Sequence, residues 1–128
     1  MSEPLDELLS LLGPKGYISG SEAQGYTVDV SGRSAPCLAV LRPASTQEVV
    51  AAVKVCAAHN LAIIAQGGNS NVCQMTVPEV GQDSVILNLS RMNHILDVDA
   101  ACSTITAEAG CTLQSLQQAA ANCDRLFA

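Results

Sequence analysis

The sequence predicts an α/β domain with some α+β character, and three observations carry that prediction. CLAVLRP and LAIIAQ are apolar runs too short for helices, bounded by Pro43 and by Gly67 and Gly68, as buried strands are. Between them lies TQEVVAAVKVCAAHN, with Ser45 in front and Glu48 three residues on, the pattern of a capped helix N-terminus. Bulk is scarce: no Trp, one Phe and two Tyr. Ala, Val, Leu, Ile and Cys must therefore fill the core, which suits buried strands packed on Ala-rich helices.

Taken in order, MSEPLDELLSLLG reads as an amphipathic helix with Leu5, Leu8, Leu9 and Leu12 on one face. GPKGYISGSEAQGYTVDVSGRSAP is rich in Gly and Ser with little periodicity and is expected to be an extended approach segment. Residues 1–36 are thus set apart from an ordered part at 37–128. Within the latter, strand, helix (Thr46 to His59) and strand (Ala62 to Ala65) form a crossover unit, with an apolar stripe of Val49, Val50, Val53 and Cys56 or Ala57 and with Asn60 ending the helix. SVILNLS is a further strand, and HILDVDAACSTITAEAG two strands around a turn at Asp99 to Ser103. Thr112 then caps TLQSLQQAAANC, where Leu113, Leu116 and Ala120 share a face.

Several functions are disfavoured by composition. The net charge of -6 and the absence of a Lys/Arg stripe argue against nucleic acid as a partner. No apolar run reaches the roughly 20 residues of a membrane span, and the acidic amino end lacks the basic start of a secretion signal, so a cytoplasmic location is expected. The six cysteines form no CxxC pair; they read as small apolar side chains, with no metal site. His59 and His94 have no evident catalytic partner, and no catalytic residue is assigned.

What stands out is the loop after LAIIAQ. Gly67 and Gly68 can adopt positive φ and admit a ligand close to the backbone, and consecutive amides there make an anion-binding nest. The loop follows a parallel strand at its carboxyl end, where open α/β sheets place ligands. A plain turn is the other reading of a Gly-Gly pair.

The motifs in combination settle between these. LLGPKGYISG, YTVDVSGR, LAVLRPASTQEVVAAVKVCAAHNL, AQGGNSNVCQMTVP, VILNLSRMN, ITAEAGCTL and AANCDRLF occur in this order. Together they resemble the FAD-binding PCMH-type domain of the vanillyl-alcohol oxidase, glycolate oxidase and D-lactate dehydrogenase superfamily, most of all its D-2-hydroxyglutarate dehydrogenase-like branch. The resemblance implies a first subdomain of small parallel sheet and crossover helix, then the hairpin and helix that start a second. It also implies FAD held through Gln66, Gly67, Gly68, Asn69, Ser70 and Asn71, with Pro43 beside the adenine end. Members with covalent flavin usually carry His at the position of Asn69, so attachment here is implied to be non-covalent. Arg91, Met92 and Asn93 match a family motif and either touch flavin or pack the junction.

The same resemblance makes this an amino-terminal portion of an FAD-linked oxidoreductase acting on D-2-hydroxy acids, expected not to turn over alone for want of a substrate domain. Self-association, or a second chain supplying the other half, is expected with it. One departure bears on the cofactor: similar loops read QGGNTGxxGG, whereas Asn71, Gln74 and Met75 stand here in place of glycines. The alternative therefore stays open of a degenerate, non-catalytic nucleotide- or anion-binding module, or one part of a split or multi-chain enzyme.

Overall fold

The structure is a computed structural model that describes residues 3–70, 73 and 75–127. Its elements are α1 (Glu3–Gly16), β1 (Tyr17–Ile18), a 3-10 helix (Gly20–Tyr26), β2 (Ala39–Leu41), α2 (Thr46–Ala58), β3 (Ala62–Gln66), β4 (Ser84–Asn88), β5 (Ile95–Asp99), β6 (Thr104–Ala107) and α3 (Leu113–Asn122). Four strands make one sheet in the order β1-β2-β4-β3, and β5 with β6 makes a separate hairpin. β4 lies between β2 and β3 and is parallel to both. All five of its residues are buried, as a central strand covered on both faces requires.

α2 begins as its sequence dictates. Ser45 accepts from the Glu48 amide at 3.2 Å, and the Glu48 carboxylate reaches back to the Ala44 amide at 2.7 Å, so orphan donors at the helix start are satisfied from both sides. The helix ends where Asn60 takes φ 53°. Its buried face, however, is Ala52, Val55 and Cys56, while Val50 is 48% and Val53 38% exposed. The expected stripe is thus rotated: Ala52 lets the helix lie close on the sheet, and larger valines at 50 and 53 would hold it off.

The approach segment is also corrected. Residues 17–36 are not a loose lead-in, because β1 pairs antiparallel with β2 and the 3-10 helix buries Ala23 against Val40 and Ile86. α1 contributes Leu8 and Leu12 to the cluster that holds Ala39, Leu41, Cys56, Val85 and Leu87, so its leucine face is part of one core with residues beyond 36. Of the six cysteines, all free thiols, Cys56 is buried but Cys73 and Cys102 are exposed. Those two are not core side chains, despite their apolar neighbours in sequence.

The hairpin is thinly covered. Leu96 is 64% and Leu113 of α3 54% exposed, so the expected apolar face of α3 is buried only toward its end, at Ala120. Local polar contacts hold the hairpin instead. Asp99 accepts from the amides of Ala101 and Cys102, both at 2.9 Å, and Ser103 completes the turn at φ 55°. At the open end, Glu108 Oε2 takes both the His94 amide at 2.9 Å and His94 Nδ1 at 2.6 Å. His94 is solvated, with its side chain 69% exposed, but it does have a carboxylate partner. The junction to the sheet is set by Gly110, whose amide bonds Met92 O at 2.8 Å. A Cβ there would collide with the carbonyl oxygens of Leu89 and Met92.

Two predictions follow from these contacts. Gly110→Ala should destabilise the fold by about 3 kcal/mol, the upper range for overpacking, read from the midpoint of urea unfolding. The hydrogen bonds from the His94 amide and ring hold the Glu108 carboxyl below its ordinary range, and the Cys102 and Ala101 amides do the same for Asp99. A lowered folded-state pKa contributes stability above the unfolded carboxylate pKa and loses it as pH falls through the folded value. Glu108→Gln should therefore be less stable than the unaltered chain at pH 7, and that gap should close progressively as the solution is taken below the ordinary carboxylate range.

Candidate functional site

Parallel strands β3 and β4 end side by side, with Gln66 in register with Asn88. Both amide side chains are buried, at 1% and 4% exposure, and they bond each other from Asn88 Nδ2 to Gln66 Oε1 at 3.0 Å. Gln66 Nε2 donates to Tyr26 O at 2.8 Å and Thr76 O at 3.3 Å. Asn88 Oδ1 takes the Ser90 amide at 3.1 Å. A buried polar group left unbonded costs roughly 1–3 kcal/mol, so this network fixes where the chain leaves each strand.

Gly67 and Gly68 leave β3 with their backbone uncovered. Neither has positive φ; that conformation falls to Asn69, at φ 55°, which corrects the expectation placed on the glycines. Among the described residues, a Cβ on either would meet nothing within 4 Å. Asn69 holds the loop to the segment before β2 by donating to Val28 O at 2.7 Å and accepting from Thr76 Oγ1 at 2.6 Å. Beside Val28, Asp29 Oδ1 takes the Ser31 hydroxyl at 2.6 Å and the amides of Ser31 and Arg33. The Ser31 hydroxyl leads in holding the Asp29 carboxyl below its ordinary range.

The two glycines form one wall of a cleft of about 220 Å³, with Ser90 and Asn93 from the turn after β4 and Gly110, Thr112 and Ser115 from the approach to α3. Thr112 caps α3, accepting from the Ser115 amide at 3.2 Å. The positive end of that helix therefore faces the same space as the glycine amides. Among the described residues no lining side chain is ionisable, so an anion here would be met by N–H dipoles and hydroxyls.

Other residues singled out in the sequence fall elsewhere. Pro43 is fully buried at the turn between β2 and α2 and does not line the cleft. Gln66 is enclosed in the amide network, Ser70 is exposed beside the loop, and Asn71 lies outside the described residues, as does Gln74. Met75 is 74% exposed and is not part of the cleft wall. Arg91 donates to Arg42 O at 2.7 Å and Met92 is buried, so both pack the junction. Asn93 alone of that motif reaches the cleft. His59 meets Glu7 at 3.8 Å, a contact between α1 and the end of α2. Ser90, Gly110, Thr112 and Ser115 were not singled out as site residues. Their signal was the cap at Thr112, two residues after Gly110, which marks a helix start but not which strand end it faces.

Comparison with known proteins places the chain in a family and a fold. The family model described as an FAD binding domain matches residues 37–128. Mitochondrial D-2-hydroxyglutarate dehydrogenase of Arabidopsis thaliana is 39% identical over 77 residues, 60% of this chain and 13% of the relative. Glycolate oxidase subunit GlcD of Bacillus subtilis is 28% identical over 108 residues, 82% of this chain and 22% of the relative. The fold matches alkyldihydroxyacetonephosphate synthase with a TM-score of 0.81 at 22% identity, over 94% of this chain and 24% of that one. The chain thus spans from about an eighth to a quarter of these proteins' lengths. With its crossover helix, central β4 and uncovered glycine loop, the chain has the PCMH-type fold and belongs to the FAD-binding domain family.

Proposed function

We propose that this chain binds the pyrophosphate portion of FAD, without covalent attachment, in the cleft between the Gly67–Gly68 backbone and the N-terminus of α3, in the service of D-2-hydroxy-acid oxidation. The observation that carries the reading is the unused space beside the glycines. Neither backbone angle nor packing against the described residues requires a missing side chain at Gly67 or Gly68, and close approach by a ligand does. At about 220 Å³ the cleft is below the roughly 300–1,000 Å³ of a drug-sized ligand site. It therefore suits a segment of a dinucleotide, not the whole.

FAD, when bound, supplies the hydride-accepting chemistry of such an oxidation. The chain's own residues do something narrower. The amides of Gly67, Gly68, Asn69 and Ser70 meet phosphate oxygens, Thr112 and Ser115 present the helix start, and Asn93 closes the wall. Gln66 and Asn88 act as positioning residues, holding the loop to β4 in the geometry that aims those amides. Asn69 has an amide where covalent attachment would need a nucleophile, and that amide is engaged with Val28 and Thr76. The D-2-hydroxy-acid part rests on the relatives' named activities. The described lining consists of glycines, hydroxyls and an amide, and the role proposed for these residues is to hold and orient the cofactor.

Titration with FAD, followed by the change in flavin absorbance and fluorescence, tests this. Gly68→Val should abolish binding of both FAD and ADP, since its side chain fills the approach to the amides. Ser70→Ala keeps the amide and should cost no more than one neutral hydrogen bond, roughly 0.5–1.5 kcal/mol. Binding that survives Gly68→Val unchanged would place the nucleotide elsewhere. Equal affinity for ADP and FAD would favour a nucleotide-binding module that makes no use of the flavin ring.

A further inference from the structure

Away from the flavin cleft, one cavity concentrates the chain's positive charge. It opens beside the carboxyl end of β2, has a volume of about 400 Å³ and is lined by Pro14, Lys15, Ile18, Glu22, Arg42 and Arg91. Three of the six cationic side chains are gathered there, in a chain with twelve acidic residues. Among the described residues no ion pair reaches any of the three.

The cluster is held by the backbone. Arg91 donates from Nη1 to the Arg42 carbonyl at 2.7 Å, and the Arg42 amide donates to Gly16 O at 2.7 Å. A Cβ on Gly16 would lie 3.1 Å from Arg91 Nη1, so the absence of a side chain lets the guanidinium rest against the last turn of α1, next to Lys15. Arg42 Nε is buried and has no hydrogen-bond partner among the described residues. Like charges lining one cavity repel, and an anion placed among them relieves that repulsion.

We propose that this cavity is a second anion site, separate from the flavin cleft, and that it takes a phosphate dianion, free or as the head of a small monoester. With Glu22 opposing three cations the lining is left two charges positive, which a phosphate dianion neutralises at one centre and a monocarboxylate does not. Guanidinium forks and an ammonium also match the several acceptor oxygens of phosphate. The site is on the same end of the sheet as the cleft, but β4 separates β2 from β3. The turn after β4 stands between them, with Ser90 and Asn93 lining the cleft and Arg91 the cavity.

The test is calorimetric titration of the full chain with inorganic phosphate and with glycerol phosphate, ionic strength being held constant with sodium chloride. Saturable binding is expected, and the tighter of the two ligands identifies the source of the phosphate. Lys15→Gln, an exposed position at the end of α1, and Arg42→Gln should each weaken binding about tenfold, the loss of one charge-assisted hydrogen bond. Gly68→Val, which closes the flavin cleft, should leave phosphate binding within about twofold of the unaltered chain, less than the loss of one neutral hydrogen bond. Glutarate, with its two charges on separated groups, should bind about tenfold more weakly than phosphate. The proposal is overturned by phosphate heats no larger than those of chloride, by unchanged binding in Lys15→Gln, by loss of binding in Gly68→Val, or by glutarate binding as tightly as phosphate.

Discussion

One buried hydrogen bond, from the Asn88 amide to the Gln66 side-chain oxygen at 3.0 Å, organises the working end of this molecule. Two parallel strands that end in register still leave their chains free to diverge. Here the paired amides remove that freedom, because each has further partners that break if either strand end shifts: Tyr26 and Thr76 for Gln66, and the Ser90 amide for Asn88. Buried networks of this kind are favourable only when fully bonded. The glycine loop, the turn after β4 and the segment before β2 are thereby set in one arrangement, and the cleft lies between them.

The two proposed sites would attract an anion in different ways. Among the described residues no side chain lining the cleft carries charge, and attraction would come from oriented amides and the start of α3. The cavity beside β2 would rely on Lys15, Arg42 and Arg91. Dipoles fixed by backbone position select by geometry at close range. Full charges act over a longer distance and are more readily screened by salt.

The sequence was most informative where local chemistry and position coincided. Ser45 with Glu48 marked the start of α2, Asn60 its end, and Asp99 to Ser103 the hairpin turn, because each is decided by residues within a few positions of one another. The orientation of α2 was not legible in this way. Valines look like core, but the sheet asked for the small side chain of Ala52, and only the neighbouring surface shows that. Gln66 was read as part of the ligand loop although its side chain is enclosed by Tyr26, Thr76 and Asn88. Those contacts join residues distant in sequence, and nothing local encodes them. The segment from Tyr17 to Ala35 lacked periodicity because a two-residue strand, a 3-10 helix and a turn capped by Asp29 are each too short to show any.

The strand order has a consequence for how the chain folds. Hairpin partners such as Val98 and Ile105 are close in sequence and meet after a short search. The pairing of Ala39 with Val85, by contrast, must close the whole loop that contains α2 and β3, and such distant parallel contacts form slowly because the entropy of closure comes before the reward. The wall of the cleft near α3 thus belongs to the early, local part of the chain's assembly, and the Gln66–Asn88 wall to the late, topological part. The cleft comes into being only when these two histories meet.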